Sequence, residues 1–373
     1  MNETPLCKII RDIIKAEGPM PLSTYMGLCL GHPEYGYYIT RDPFGKKGDF
    51  TTAPEISQMF GEMIGAWVVD TWHKMGAPAQ FILFEMGPGR GTLMADILRV
   101  GHKVDGFVGA AKIHLMEMSP VLRKAQFKAL SEYEPTWHMT LESIASHDPS
   151  LPIIAIGNEF LDALPVDQYT LTDTGWTQKS ITINKNGSFR IYDRAVLDSV
   201  YFEKNSLQNT LFKPRLGDIV EVSHEQKRFM NDLIDIVLNQ GGSCLLIDYG
   251  FSNNRCGDTL QALKNHAYCD ILETPGECDI TYHVNFGNLA EQMMGKNMMV
   301  HGPVSQSTFL KTLGIEIRAE ALRHSASEMN RPDIAQDVEV ALMRLIDKDQ
   351  MGDLFKVIAF SSDSTIQLAG FTI

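Results

Sequence analysis

The sequence predicts an α/β protein built on a parallel sheet covered by helices, and three observations carry that expectation. Four short runs, FILFEMG (81–87), IHLMEMS (113–119), PIIAIGNEF (152–160) and SCLLIDYG (243–250), are dominated by apolar residues, as strands buried on both faces are. Helical segments alternate with them: TLMADILRVG (92–101) follows the first run and VLRKAQFKAL (121–130) the second. The first run passes directly into a glycine-rich turn, as a strand does when it feeds a ligand-binding loop.

Taken in order, residues 1–78 read as a helical and loop cap. Leu6, Ile9, Ile10, Ile13 and Ile14 form one face of an amphipathic helix that Gly18 and Pro19 end. Ser23 is placed to cap a second helix. Residues 31–57 are dense in Gly, Pro and aromatics, which predicts a long ordered loop or a short hairpin plus loop. Helical spacing returns at Ile56, Phe60, Ile64, Trp67 and Val68. Residues 79–373 read as the core, interrupted at about 167–225 by an insertion that alternates apolar and polar residues. Within it Asn186-Gly187 marks a hairpin turn. FKVIAFSS (355–362) and TIQLAGFTI (365–373) read as a terminal pair of strands.

A formal net charge of −13 argues against a general binder of nucleic acid or anionic membranes. No run of 18 apolar residues occurs, so no membrane insertion is expected. The first residues carry Glu3, Asp12 and Glu17 and resemble neither a secretory signal nor an acid-poor leader. A cytoplasmic, bacterial-type location is expected, or the mitochondrial matrix if the chain is eukaryotic. Six cysteines without a CxxC spacing read as reduced thiols, and no metal site is expected.

The chemistry starts at Glu85-Met86-Gly87-Pro88-Gly89-Arg90-Gly91, between a strand and a helix. Glycines there let a ligand approach the backbone, and the helix N–H groups face it. The spacing is G-x-G-x-G, not the G-x-G-x-x-G of dinucleotide folds. Glu117, at the end of the second strand, can hold a ribose diol through two charge-assisted hydrogen bonds. Glu85, Gly87, Gly89, Gly91 and Glu117 together suit a nucleoside without a pyrophosphate. S-adenosyl-L-methionine (SAM), with its ribose and cationic methionine, is such a ligand.

On wider blocks the chain resembles the SAM-dependent methyltransferases that include the mitochondrial complex I assembly factor and its bacterial MidA-type relatives. The blocks are PLSTYMGLCLGHPEYGYYITRDPFGKKGDFTTAPEISQMFGE (21–62), EMGPGRGTLMADILR (85–99), HLMEMSPVLR (114–123), GNEFLDALPV (157–166), LLIDYGF (245–251), GDTLQA (257–262) and MGDLFKV (351–357). The resemblance implies a class I methyltransferase sheet, Rossmann-like, with a terminal antiparallel strand. It also implies a protein substrate methylated on arginine, with a respiratory complex I subunit as a candidate. Tyr282 and Asn285 stand where Ala and Asp are expected from the family.

In such a sheet the acceptor lies beside the end of the fourth strand, here Gly157-Asn158-Glu159-Phe160-Leu161-Asp162. Enzymes acting on amide or adenine nitrogens tend to carry an N-P-P-Y-like turn there; this chain offers acids instead. A carboxylate fork suits a guanidinium, which stays charged and can be held bidentately. Glu159 and Asp162 are the candidate catalytic residues, with Asp49 in the N-terminal loop as a further one. Asp162 could equally brace the turn that follows. Asp248, Tyr249 and His283 could border the same cleft. Two other functions stay open: a SAM-binding assembly chaperone, and a nicotinamide-dependent oxidoreductase, whose G-x-G-x-x-G fingerprint is not cleanly present.

Overall fold

The computed structural model describes residues 3–41, 43, 52–198, 202, 213–253 and 255–371. The chain forms two compact units. One comprises 51–160, 231–252 and 289–373; the other comprises 1–50, 161–230 and 253–288.

In the first unit seven strands follow one path. They are β1 (Phe81–Met86), β2 (Ala111–Met116), β3 (Thr136–His138), β4 (Ile153–Asn158), β5 (Gly242–Phe251), β6 (Met299–Ser305) and β7 (Phe355–Ser361). Their order is β3-β2-β1-β4-β5-β7-β6. The first five run parallel, and β7 is antiparallel to both β5 and β6. The four apolar runs are β1, β2, β4 and β5. The doubly wound sheet with an antiparallel strand is thus the class I arrangement that the resemblance implies.

The pairing explains why these runs are so apolar. Leu83, Ile154, Leu245 and Val357 share one sheet face and pack with Phe60, Trp67, Ile97 and Leu98 from the helices Gln58–Lys74 and Thr92–Gly101. The residues between them, such as Phe84 and Leu246, are buried on the opposite face. Glu85 lies opposite Leu115 and Ile156, so its side chain leaves the sheet on the helix-covered face of Leu83. Because β1, β2, β4 and β5 are parallel, the residues ending each of them gather at one edge.

The terminal pair of strands is only half present. Residues 355–361 form β7, but 365–371 form no strand. Both edges of β7 are already taken by β5 and β6. Asp363 then turns the chain, accepting from the Thr365 amide and hydroxyl, and Ile366 and Leu368 pack into the core instead.

The second unit holds the helices Pro5–Glu17 and Leu22–Gly31. Leu6, Ile10 and Ile14 are buried along the first, as their spacing predicts. Ser23 is not the cap of the second helix but lies within it; Asp167 accepts from its amide and hydroxyl at 3.0 and 2.9 Å. The insertion forms a sheet in which Gly175–Ile183 pairs with Met20–Pro21, Asp167–Thr172 and Phe189–Ala195. Gly187 has φ 86° at the predicted hairpin turn. The hairpin is therefore woven into the sheet. No hairpin occurs among the described residues of 31–57, which contain the short helices Tyr37–Thr40 and Ala53–Ile56.

Candidate active site

All three glycines of the turn take left-handed backbone angles: φ is 61° at Gly87, 53° at Gly89 and 83° at Gly91. Space restricts them too. A Cβ on Gly87 would meet the Phe160 ring at 3.0 Å, and one on Gly91 would meet Leu130 at 3.3 Å. The turn thus requires glycine on conformational grounds before any ligand is considered.

Glu85 is 3% exposed. Its carboxylate accepts from the Met94 amide in the first turn of the following helix. This supplies the cap that Gly91, without a side chain, cannot. Oε2 has no partner among the described residues. Burial pushes the Glu85 carboxyl up to about 8, against the smaller opposing pull of the Met94 amide. A buried acid with an orphaned oxygen under a glycine turn fits a ligand that brings a cationic group.

Glu117, also buried, follows β2. Oε1 accepts from the Ser119 amide at 2.7 Å, and Oε2 from Gln126 Nε2 at 3.1 Å. Burial raises its pKa above the ordinary carboxylate value, although these hydrogen bonds work the other way. Gln126 was not singled out by the sequence, yet it ties the site together. Its Nε2 also donates to the Gly89 carbonyl at 2.7 Å, and its Oε1 accepts from Trp137 Nε1 at 2.8 Å. A signal was available: Leu122, Gln126 and Leu130 are the buried residues of this helix, so a polar residue interrupts an apolar i, i+4, i+8 stripe.

At the end of β4, Glu159 holds φ 52°, a left-handed angle that costs energy for a residue with a Cβ. Its amide donates to the Ile247 carbonyl at 2.9 Å. Its Oε1 accepts from the Ala53 amide and from Asn158 Nδ2, each at 3.1 Å. The next amide, Phe160, donates to Asp248 Oδ2 at 3.1 Å, and Asp248 Oδ1 accepts from the Tyr249 amide at 2.9 Å. Asp248 is 1% exposed and shapes the Glu159 turn from below. Glu55 completes this wall. It accepts from Thr92 Oγ1 at 2.5 Å and lies 3.7 Å from Arg90, so the segment Ala53–Ile56 is fastened both to the glycine turn and to Glu159.

Of the remaining candidates, Asp49 lies outside the described residues. Asp162 belongs to the second unit, where it is buried in a short turn and its carbonyl accepts from the Tyr282 amide at 3.3 Å. The His283 amide donates to Thr259 Oγ1 at 2.9 Å. Asn285 Oδ1 accepts from the Asn288 amide at 3.0 Å, at the start of the helix Phe286–Gly295. The unexpected Asn thus has a helix-capping role.

A class I sheet with a buried acid under a left-handed glycine turn and a second buried acid after the next strand is the arrangement expected of a SAM-dependent methyltransferase. Residues 63–304 match the family described as "Putative S-adenosyl-L-methionine-dependent methyltransferase", and the chain belongs to that family, with SAM as its cofactor. The protein arginine methyltransferase NDUFAF7 homolog, mitochondrial, of Drosophila melanogaster is 35% identical over 95% of this chain and 84% of that protein. Its human counterpart, protein arginine methyltransferase NDUFAF7, mitochondrial, is 30% identical over 98% of this chain and 85% of that protein. A Burkholderia thailandensis superfamily member, crystallised with S-adenosyl-homocysteine, superposes with a TM-score of 0.83 at 26% identity, covering 98% of this chain and 93% of that one. Among the described residues no helix is long and apolar enough to cross a membrane.

Proposed function

We propose that this methyltransferase acts on the guanidinium of an arginine in a protein substrate. The observation that carries the reading is the strained Glu159, held at the end of β4 at φ 52° by its neighbours. Strain of this kind persists where the surroundings over-determine it, often at functional positions. The names of the mitochondrial relatives support the same substrate class, and a respiratory complex I subunit is the candidate partner.

When bound, SAM supplies an activated methyl group on a sulfonium. The residues of the chain bind, orient and hold charge. Glu85 and Glu117, with Gly87, Gly89 and Gly91, hold the cofactor. Glu159 takes the guanidinium, localising its positive charge away from the attacking nitrogen. Gln126 and Asp248 position Glu117 and the Glu159 turn. Asp162 braces its own turn, and Asp49 is a second acceptor candidate.

The test is single-turnover transfer of labelled methyl from saturating SAM to an arginine-bearing protein. Glu159→Gln keeps the oxygen that accepts from Ala53, so fold and SAM affinity should persist, while transfer falls by ~10²-fold or more. Full activity in this variant moves the acceptor site elsewhere. Label on glutamine or on a nucleobase rejects arginine, and SAM binding with no label on any partner favours an assembly chaperone.

A further inference from the structure

Away from the glycine turn, three imidazoles and a carboxylate meet beside β2 and β3. His114 on β2 and His138 at the end of β3 are buried, while His147 and Asp148 close the helix Leu141–His147. Asp148 Oδ2 lies 3.9 Å from His114 Nε2 and 3.9 Å from His147 Nε2. One ligand atom from each of these three residues falls within 4.8 Å of the others. These separations are too long for hydrogen bonds. Three potential ligands therefore converge without bonding one another.

The surroundings aim the ligand atoms. Asp148 Oδ1 accepts from Lys112 Nζ at 3.2 Å, which leaves Oδ2 turned to the imidazoles. His114 Nδ1 lies 2.8 Å from His138 Nε2, and His138 Nδ1 lies 2.8 Å from Ser143 Oγ. If the chain donates outward, His114 Nδ1–H to His138 and His138 Nδ1–H to Ser143, the lone pair of His114 Nε2 points at Asp148 and His147. The reverse direction would put a proton on His114 Nε2, facing a carboxylate oxygen too distant to accept it. An imidazole fixed through its other nitrogen is the usual support of a metal ligand.

We propose that His114, His147 and Asp148 form a site for a borderline divalent transition-metal ion, zinc above all, with His138 as the positioning residue. Two imidazole nitrogens and one carboxylate oxygen are ligands zinc accepts, whereas magnesium and calcium favour oxygen. With zinc bonds of about 2.0–2.1 Å, tetrahedral ligand atoms stand about 3.4 Å apart. The two separations from Asp148 must therefore close by about half an ångström, and the pair of imidazole nitrogens, which the 4.8 Å bound covers, by up to about 1.4 Å. His147, 50% exposed at a helix end, has the freedom to do so. Sequence spacing hides the site, because β2 and the helix come together only in the fold. The ion would clip that helix to the strand that leads into Glu117, whose amide already donates to the His138 carbonyl at 3.2 Å.

The experiment uses full-length, tag-free protein stripped with a chelator and titrated with zinc chloride by calorimetry, with melting temperature read alongside. One ion per chain should bind in the micromolar range and raise the melting temperature. His147→Ala and Asp148→Asn should each weaken binding at least about tenfold while melting normally without metal. Cys269→Ala should bind as the parent does, separating this site from the half-buried Cys269 thiol. His138→Gln retains an acceptor for His114 Nδ1–H and should keep affinity that His138→Leu loses. Absence of binding at about 100 μM zinc, or equal binding by the parent, His147→Ala and Asp148→Asn, overturns the proposal.

Discussion

Glu85 is a carboxylic acid that its surroundings keep protonated at neutral pH. Its folded pKa of about 8 lies above the ordinary 4.5, so the folded state holds a proton that the unfolded chain gives up. The sign follows: the stabilisation is fully present below about 4.5 and is lost as pH rises towards 8. A cationic ligand reverses the preference, because it favours the carboxylate and expels the proton. SAM affinity should therefore increase from pH 6 to pH 8, with proton release detectable as a buffer-dependent calorimetric enthalpy. Glu85→Gln should flatten most of that slope; a slope unchanged in the variant places the titrating group elsewhere. Glu117→Gln should weaken SAM by ~1.5–3 kcal/mol, the value of a hydrogen bond to a charged acceptor, measured by the same titration. Unchanged affinity would move the ribose contact off Glu117. The placement of both acids at strand ends next to the glycine turn is legible in the sequence, because a strand end announces where its last side chains point; their contacts with SAM are what these titrations test. Gln126 interrupts the apolar stripe of Leu122 and Leu130, but a single polar residue in VLRKAQFKAL does not say what it holds until the contacts with Gly89 and Glu117 are seen.

At the scale of elements, the glycine turn and the insertion hairpin offer a matched comparison. Gly89 and Gly187 both have positive φ, 53° and 86°, so valine is strained at either position. They differ in setting. The Gly89 carbonyl accepts from Gln126, which also holds Glu117, whereas a Cβ on Gly187 would meet nothing within 4 Å. Gly89→Val should abolish SAM binding with the fold retained by circular dichroism. Gly187→Val should weaken only the hairpin and leave SAM affinity intact; equal loss in both variants argues against a specific cofactor loop. The sequence read strands β1, β2, β4 and β5 correctly because burial on both faces leaves a continuous apolar run. It misread 365–371 because an alternating pattern reports a buried face, not the availability of a strand edge. Ser23 failed as a cap for a related reason: its partner, Asp167, is 144 residues away in sequence.

At the scale of the unit that holds the sheet, one buried acid joins helices far apart in the chain. Glu62, in the helix Gln58–Lys74, accepts from Arg99 Nη1 at 3.0 Å and from Arg318 Nε and Nη2 at 2.7 and 2.9 Å. Its side chain is 7% exposed, while Arg99 and Arg318 are 36% and 37% exposed. Burial alone would raise the Glu62 pKa, but the hydrogen bonds from Arg318 and Arg99 hold it below the ordinary value. The asymmetry in exposure decides what each deletion does. Arg318→Ala leaves Glu62 paired with Arg99, and Arg99→Ala leaves it paired with Arg318. Each should cost only ~1–2 kcal/mol, since the half-exposed guanidinium already shares its charge with water. Removing both strands a buried carboxylate, so the double variant should lose more than the sum of the singles, by ~1 kcal/mol or more in a denaturant-based cycle. Strict additivity would show that Glu62 reaches water or another donor. The pH response adds an independent check. A depressed carboxylate contributes stability above its unfolded pKa and loses it as pH falls through the folded value. The acid limb of the stability curve should therefore be steeper in the parent than in the double variant, where the depression of Glu62 is gone. No local pattern in the sequence marks Glu62 for this role, because its partners arrive from helices 37 and 256 residues further along the chain.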